Sequence, residues 1–231
     1  RDDLVTGVQT CALPIYDYAD VTTKEELKKT TDRIRQALKD DEKIIINGDP
    51  DADGISGATI LTAGLRYLGA RVEFRFPIRS KEGHGLQVRV IDEAIEKGWK
   101  LIITTDCGSK DMNAAQYASD NGVDVIITDH HILGKRHPNV YAFVNPNLVE
   151  HKTDFKTLSG AGVAYKIILA IFDAMGKQLP PDLNNYLLSI ATLGTLSDRM
   201  SMLNPMNRIM VQKGCEALRS EEHTSELQSP D

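Results

Sequence analysis

KIIINGDPDADGISGATILTAGLRYLG, residues 43–69, decides the fold. KIIING at 43–48 is a short apolar run halted by a turn, and from Ile55 to Gly69 the apolar residues fall at helical spacing, so the stretch predicts strand, loop and helix. The pattern repeats downstream: RVEFRFP at 71–77, a helix near 86–97, LIITTD at 101–106, a helix near 110–121, VDVIITD at 123–129 and AFVNP at 142–146. Strands alternating with helices predict an α/β fold, a parallel sheet with flanking helices. Upstream, Thr23 before KEEL starts a polar helix within 16–41. Beyond Pro146, the segments 158–176 and 183–196 read as two buried helices expected to cover one side of the sheet.

In open parallel sheets ligands gather beyond the carboxyl ends of the strands, and there this sequence sets its acids. NGDPDADG follows the first strand, TTDCGS ends the third and ITDHH ends the fourth. Asp49, Asp51, Asp53, Asp106, Asp129, His130 and His131 are therefore expected around one small volume. Carboxylates at that density cannot all stay ionised alone, and divalent cations would relieve the repulsion. DPDADG also fits the first half of an EF-hand loop, but the twelfth position is Ile60 where a bidentate glutamate is needed, and a strand stands where a helix should precede it. An acidic turn held by Gly54 is the plainer alternative for this motif by itself. His130 and His131 are adjacent on an extended chain, so their side chains diverge, leaving one to coordinate and one to face substrate. His84, beside Arg79 and Lys81, reads either as part of a phosphate path or as a solvated loop; His137 and His151 read as ordinary surface or core histidines.

The chain has 231 residues, 41% hydrophobic and 26% charged, an ordinary globular composition. It has no apolar run long enough to span a membrane and no export signal, which makes the cytoplasm the expected location. Cys11, Cys107 and Cys215 form neither a disulfide framework nor a zinc spacing. VTGVQTCALPI and RSEEHTSELQSP look like translations of opposite strands of one sequencing adapter, so 1–15 and 219–231 are expected to be artefactual tails making no packed contact with the core. They carry Arg1 and Arg219 against Asp2, Asp3, Glu221, Glu222, Glu226 and Asp231, so the formal charge of −6 becomes −2 without them. That balance argues against holding nucleic acid by bulk basicity and suits a site that carries its own cations.

In order and spacing, GDPDADGISG, TTDCGS, VIITDHH, LSGAGVAYKI and ATLGTLSDRM resemble the motif set of the DHH phosphoesterase superfamily in its RecJ-type form, over about 43–199. The resemblance implies a DHH catalytic domain over 16–218, incomplete at both ends. It implies two Mn2+ or Mg2+ ions, with Asp51 and Asp53 binding one each, Asp106 bridging them, and His130 and Asp198 completing the second site. His131 would contact the scissile phosphate and Asp129 would orient a histidine, making His131, Asp106 and Asp129 the catalytic group. Where some members carry a histidine ligand this chain has Asn47, with Asp49 as a substitute. Ser159, Gly160 and Gly162 open a helix whose N–H groups either receive a phosphate or pack tightly on the sheet; Arg79 is a further phosphate candidate. The implied function is phosphodiester hydrolysis in nucleic acid, as a 5′-to-3′ exonuclease on single-stranded DNA. The alternatives are a phosphoesterase for short oligonucleotides or cyclic dinucleotides, and a non-catalytic DNA-binding domain, against which the retained ligand set argues. The expected partner is single-stranded DNA or a short oligonucleotide, with no membrane; the sequence leaves the oligomeric state open.

Overall fold

Ile44, Ile45 and Ile46 are all buried, which an alternating strand achieves only when both its faces are covered. In the structure, a computed structural model that describes residues 16–78 and 82–226 with side chains through Arg219, they lie on β1 (Lys43–Gly48). Flanking β1 are β2 (Arg71–Arg75) and β3 (Leu101–Thr105), and with β4 (Asp124–Thr128) and β5 (Ala142–Val144) they form a sheet in the order β2-β1-β3-β4-β5. Every pairing is parallel.

Ile44 and Ile46 face one core, shared with Leu101, Ile103 and Ile126 and covered by α1 (Lys24–Lys39), α2 (Ala52–Tyr67), α5 (Gly160–Ala174) and α6 (Pro181–Ser197). Ile45 faces the other, with Ile102, Val125 and Ile127 beneath α3 (Val88–Lys97) and α4 (Met112–Asp120). Each buried isoleucine contributes roughly 1.5–3 kcal/mol of transfer free energy. The strands' alternation therefore fixes two helical layers on opposite faces.

Thr23 caps α1 as expected, accepting from the Glu26 N–H at 3.3 Å. α2 begins at Ala52, earlier than its apolar spacing suggests, because Asp51 is its cap and accepts from the Gly54 N–H at 3.0 Å. The second half of DPDADG is thus a helical turn. α7 (Pro205–Glu226), which hydrophobic spacing did not single out, packs against α6 and runs unbroken through the expected boundary at 218. Residues 1–15 and 227–231 lie outside the described residues, and with them most of what was expected of the tails. Among the described residues no helix is long and apolar enough to cross a membrane.

Candidate metal centre

Strand register delivers the acids in step. Just past the ends of their strands, the Asp49 N–H donates to Thr105 O at 3.3 Å, the Asp106 N–H to Thr128 O at 3.0 Å and the Asp129 N–H to Val144 O at 2.9 Å. The ladder thereby carries each aspartate one step beyond the sheet on the same side. Asp106 then turns sharply at φ 60°, a left-handed conformation tolerated by aspartate better than by most residues, and costly enough to mark a site. Gly160 makes room for it: a Cβ there would stand 2.6 Å from the Asp106 Cβ.

Around Asp106 three sets of donor atoms close to within 4.8 Å: Asp49, Asp51 and Asp106; Asp106, His130 and His131; and Asp53, His130 and Asp198. The His130 Nε2 lies 3.0 Å from Asp106 Oδ1, 3.7 Å from Asp198 Oδ2 and 3.9 Å from Asp53 Oδ2. The 3.0 Å approach is a charge contact, since its alignment leaves Asp106 Oδ1 without a hydrogen bond. Burial pushes the Asp106 carboxyl up to about 7, with Asp53 and Asp51 adding to the rise and His130 opposing it. Burial would lower His130, but Asp106, Asp53 and Asp129 overcome it and raise the imidazole to about 9. A carboxylate that resists ionising beside a histidine that resists deprotonating describes a site short of positive charge.

Asp129 has a different role. Only 2% exposed, it accepts from the Ser109 N–H at 3.0 Å, from the His130 and His131 N–H groups at 2.7 and 3.2 Å, and lies 2.7 Å from His131 Nδ1. Burial would raise its pKa, yet His131 and Ser109 bring it down to about 2. It thus fixes the His131 ring, whose side chain is half exposed in a cavity of about 200 Å³ lined by Asp49, His84, Asp106 and Ser109 among others. From the turn after β5, Asn145 and Asn147 donate to the carbonyls of His131 and His130, each at 3.0 Å, clamping the histidine pair from behind. Sequence reading missed this clamp, although NPN at 145–147 was a visible turn signal.

The opening of α5 differs from the phosphate seat offered as one reading of it. Asp53 takes the Gly160 and Ala161 N–H groups at 2.6 and 3.0 Å, and Ser159 Oγ takes that of Gly162 at 3.1 Å. Ser159, Gly160 and Gly162 are buried and their helix start is already capped, so tight packing is what the structure has there. Asp53 is the residue that both readings overlooked as a cap. Burial raises its pKa, and the α5 N–H groups offset only part of the rise. Asn47 is fully buried, with Nδ2 3.5 Å from Gly85 O and 3.7 Å from Cys107 Sγ. His84 reaches to 3.6 Å from Asp49 and is largely exposed. His137 stacks at 4.7 Å on Phe143 and His151 lies 3.0 Å from Asp20, neither in any of the donor sets. Arg79 and Lys81 lie outside the described residues.

A family model described as the DHH family, N-terminal domain, matches residues 43–195. The single-stranded-DNA-specific exonuclease RecJ of Bacillus subtilis (strain 168) is 38% identical over 203 residues, 88% of this chain and 25% of that protein. The crystal structure of an exonuclease RecJ bound to manganese superposes with a TM-score of 0.74 at 33% identity, covering 84% of this chain and 48% of that one. RecJ from Thermus thermophilus in complex with Mn2+ gives 0.69 at 32% identity, covering 82% and 26%. The chain therefore spans about a quarter to a third of the length of the curated relatives it matches.

Proposed function

The chain belongs to the DHH family, and on that premise we propose that it is the metal-bearing core of a phosphodiesterase that removes nucleotides from the 5′ end of single-stranded DNA in the cytoplasm. The observation that carries this reading is the position of Asp106, which shares one donor set with Asp49 and Asp51 and another with His130. Its buried, proton-retaining carboxyl, with Oδ1 lacking an aligned donor, fits hard divalent cations. Two ions, manganese or magnesium as in the matched RecJ crystal structures, would be held by Asp49, Asp51 and Asp106 on one side and by Asp106, Asp53, His130 and Asp198 on the other. Bound there, they would activate water and neutralise charge developing on the phosphate.

The protein's own groups supply position and proton control. Asp129 occupies His131 Nδ1, which leaves Nε2 to donate to a phosphate oxygen, and the carboxylate beside it raises the imidazole's hold on its proton. The Asn145 and Asn147 clamp holds the backbone of both histidines, and with it the His131 imidazole at the cavity while substrate enters. The near-neutral balance without the tails gives little bulk basicity with which to hold a polymer, so grip on long strands is expected to be weak and salt-sensitive.

The test uses manganese and four substrates: a dinucleotide, a 5′-labelled strand, the same strand labelled at its 3′ end, and a cyclic dinucleotide. Mononucleotides should leave the 5′ end, with slow turnover of the dinucleotide and weak, salt-sensitive retention of long strands. Preference for the cyclic dinucleotide would favour the small-substrate alternative, and release from the 3′ end would refute the polarity.

A further inference from the structure

The loop that carries His84, between β2 and α3, is built more tightly than its exposure suggests. Gly83 and Gly85 flank the histidine in left-handed conformations, φ 81° and 77°, which glycine adopts at little cost. Just beyond them Leu86 is buried in the second core, 2% exposed, and its N–H donates to Asp111 Oδ2 at 2.6 Å. Asp111 stands at the cap position of α4 yet makes no side-chain hydrogen bond to that helix, so it gives the loop the acceptor that a cap ordinarily gives its own N–H groups. Only glycine fits beside it: a Cβ on Gly85 would meet the same Oδ2 at 2.3 Å. Gln87 Nε2 donates back to the carbonyl of His84. The backbone is thus pinned next to a side chain that stays 67% exposed, with Nδ1 3.6 Å from Asp49 Oδ1.

That side chain lines the same cavity of about 200 Å³ as His131. The volume is below the roughly 300 Å³ at which pockets begin to enclose a whole small molecule, so it suits one group of a larger substrate. The lining decides which group. Asp49 and Asp106 belong to the proposed metal sites, Asp129 holds His131, and Asp111 holds the loop. The side chains left to meet a ligand include His84, Lys110 and His131, all of them able to donate. Lys110 is exposed and forms no ion pair among the described residues. Such donors around a small opening at a metal centre match a phosphate.

We infer that His84 is a further substrate contact of the proposed reaction, donating from Nε2 to an oxygen of the phosphate that enters this cavity, and that Asp111 positions it through the Leu86 N–H. The inference rests on the proposed function for its substrate class. With Nδ1 turned to Asp49, Nε2 is the atom left for the phosphate. His131 and His84 then both donate to it, one ring set directly by Asp129 and the other placed by Asp111 through the backbone.

The test titrates the isotope-labelled chain, followed by NMR, with a deoxydinucleotide and with its abasic counterpart. Calcium replaces manganese, so that binding is read whether or not the chain cuts. His84→Ala should weaken both ligands about tenfold, as expected for losing one hydrogen bond to a charged group. His84→Gln, which can still donate, should recover part of the loss. Asp111→Ala should weaken binding in the wild-type background and add nothing to His84→Ala. Manganese affinity, read from the paramagnetic resonance of the free ion, should be unchanged by His84→Ala. No loss on His84→Ala would overturn the contact. So would a loss confined to the dinucleotide with bases, which would put His84 on a base, or a parallel loss of manganese affinity, which would mean that it acts through Asp49. Additive losses from Asp111→Ala and His84→Ala would overturn the positioning role. Loss of binding on His84→Ala, with no phosphodiester cleavage by the wild-type chain in manganese, would keep the contact and sink the proposed function; cleavage with no loss on His84→Ala would do the reverse.

Discussion

The two ends of the sheet bury charge in opposite ways. At the amino end, Arg33 on α1 lies 2.6 Å from Asp124 at the start of β4 and 2.7 Å from Glu42 just before β1. At the carboxyl end, beyond β1, β3 and β4 and at the end of α6, Asp49, Asp51, Asp53, Asp106, Asp129 and Asp198 stand against His130 and His131. The first cluster meets its acids with a cation from the chain, and it ties α1 to the sheet. The second is short of cations even with both histidines protonated. Strands β1 and β4 reach both ends, and what separates a structural cluster from a candidate reaction centre is how much of the balancing charge the chain supplies: one arginine for two carboxylates at the amino end, two histidines for six at the other.

The sharpest way to break this comparison is to remove the residue at the junction of the donor sets. Asp106→Ala should lower manganese-dependent phosphodiester cleavage at least a thousandfold, roughly 4 kcal/mol of barrier, while His137→Ala, outside every donor set, should stay near wild type. Reversed effects would dissolve the site assignment. Next in size is stabilisation by metal. At a free manganese concentration about 100 times its dissociation constant the folded state should gain about 2.7 kcal/mol, measurable by urea denaturation. Asp106→Asn should lose most of that gain, and Arg33→Met should keep all of it. A gain that survives Asp106→Asn would place the ions elsewhere.

Much of this was legible before the structure, for definite reasons. Short apolar runs such as LIITTD at 101–106, closed by a polar turn, expose a strand, and parallel topology sends all their carboxyl ends to one side. The convergence of Asp49, Asp51, Asp53, Asp106, His130 and His131 followed from those two facts. What escaped depends on partners remote in sequence. Asp53 caps α5 across 107 positions, and Arg33 reaches Asp124 across 91. The left-handed turn at Asp106 has no local signature either, since it exists to seat the residue against Gly160. The α5 opening could be read as a phosphate seat only while the cap was unknown.

A smaller effect sharpens the comparison through pH, with a chelator present to exclude metal. Asp106 rises from 3.8 to about 7 on folding, so its contribution is full below 3.8 and lost as pH climbs through 7. His130 rises from 6.5 to about 9, and its contribution is full below 6.5 and lost as pH climbs through 9. Both slopes have the same sign, opposed in part by Lys166, which burial lowers to about 7 and which adds stability as pH climbs above that; the net expectation is a fall in thermal stability between pH 5 and pH 9. Asp129, lowered to about 2, acts oppositely but only below about pH 4. Asp106→Asn should flatten the decline, because it removes one titrating group and the main carboxylate that raises the other. A wild-type profile that rises over this range would contradict the charge deficit.

The smallest effect belongs to the amino end. Removing one partner of a fully buried ion pair costs about 3–5 kcal/mol because a charge is stranded. Here the partners are not fully buried: the Asp124 side chain is 41% exposed and that of Glu42 21%, so Asp124 can take up water once the guanidinium is gone, while the buried Glu42 Oε2 keeps part of the cost. Arg33 itself is 6% exposed, and its Nη1 has no hydrogen-bond partner among the described residues, so an apolar replacement also relieves an unmet donor. Arg33→Met, which keeps most of the aliphatic stem and gives up the guanidinium 5.9 Å from the centre of the Tyr141 ring, should therefore cost only about 1–2 kcal/mol. Arg33→Ala should cost about 1 kcal/mol more, from the packing it forfeits. Urea denaturation at pH 5 and pH 9, with chelator and with manganese, should return the same loss for Arg33→Met in every condition. A loss that changed with metal would mean that the two ends of the sheet are coupled through the strands, and that the charge at one is not settled independently of the other.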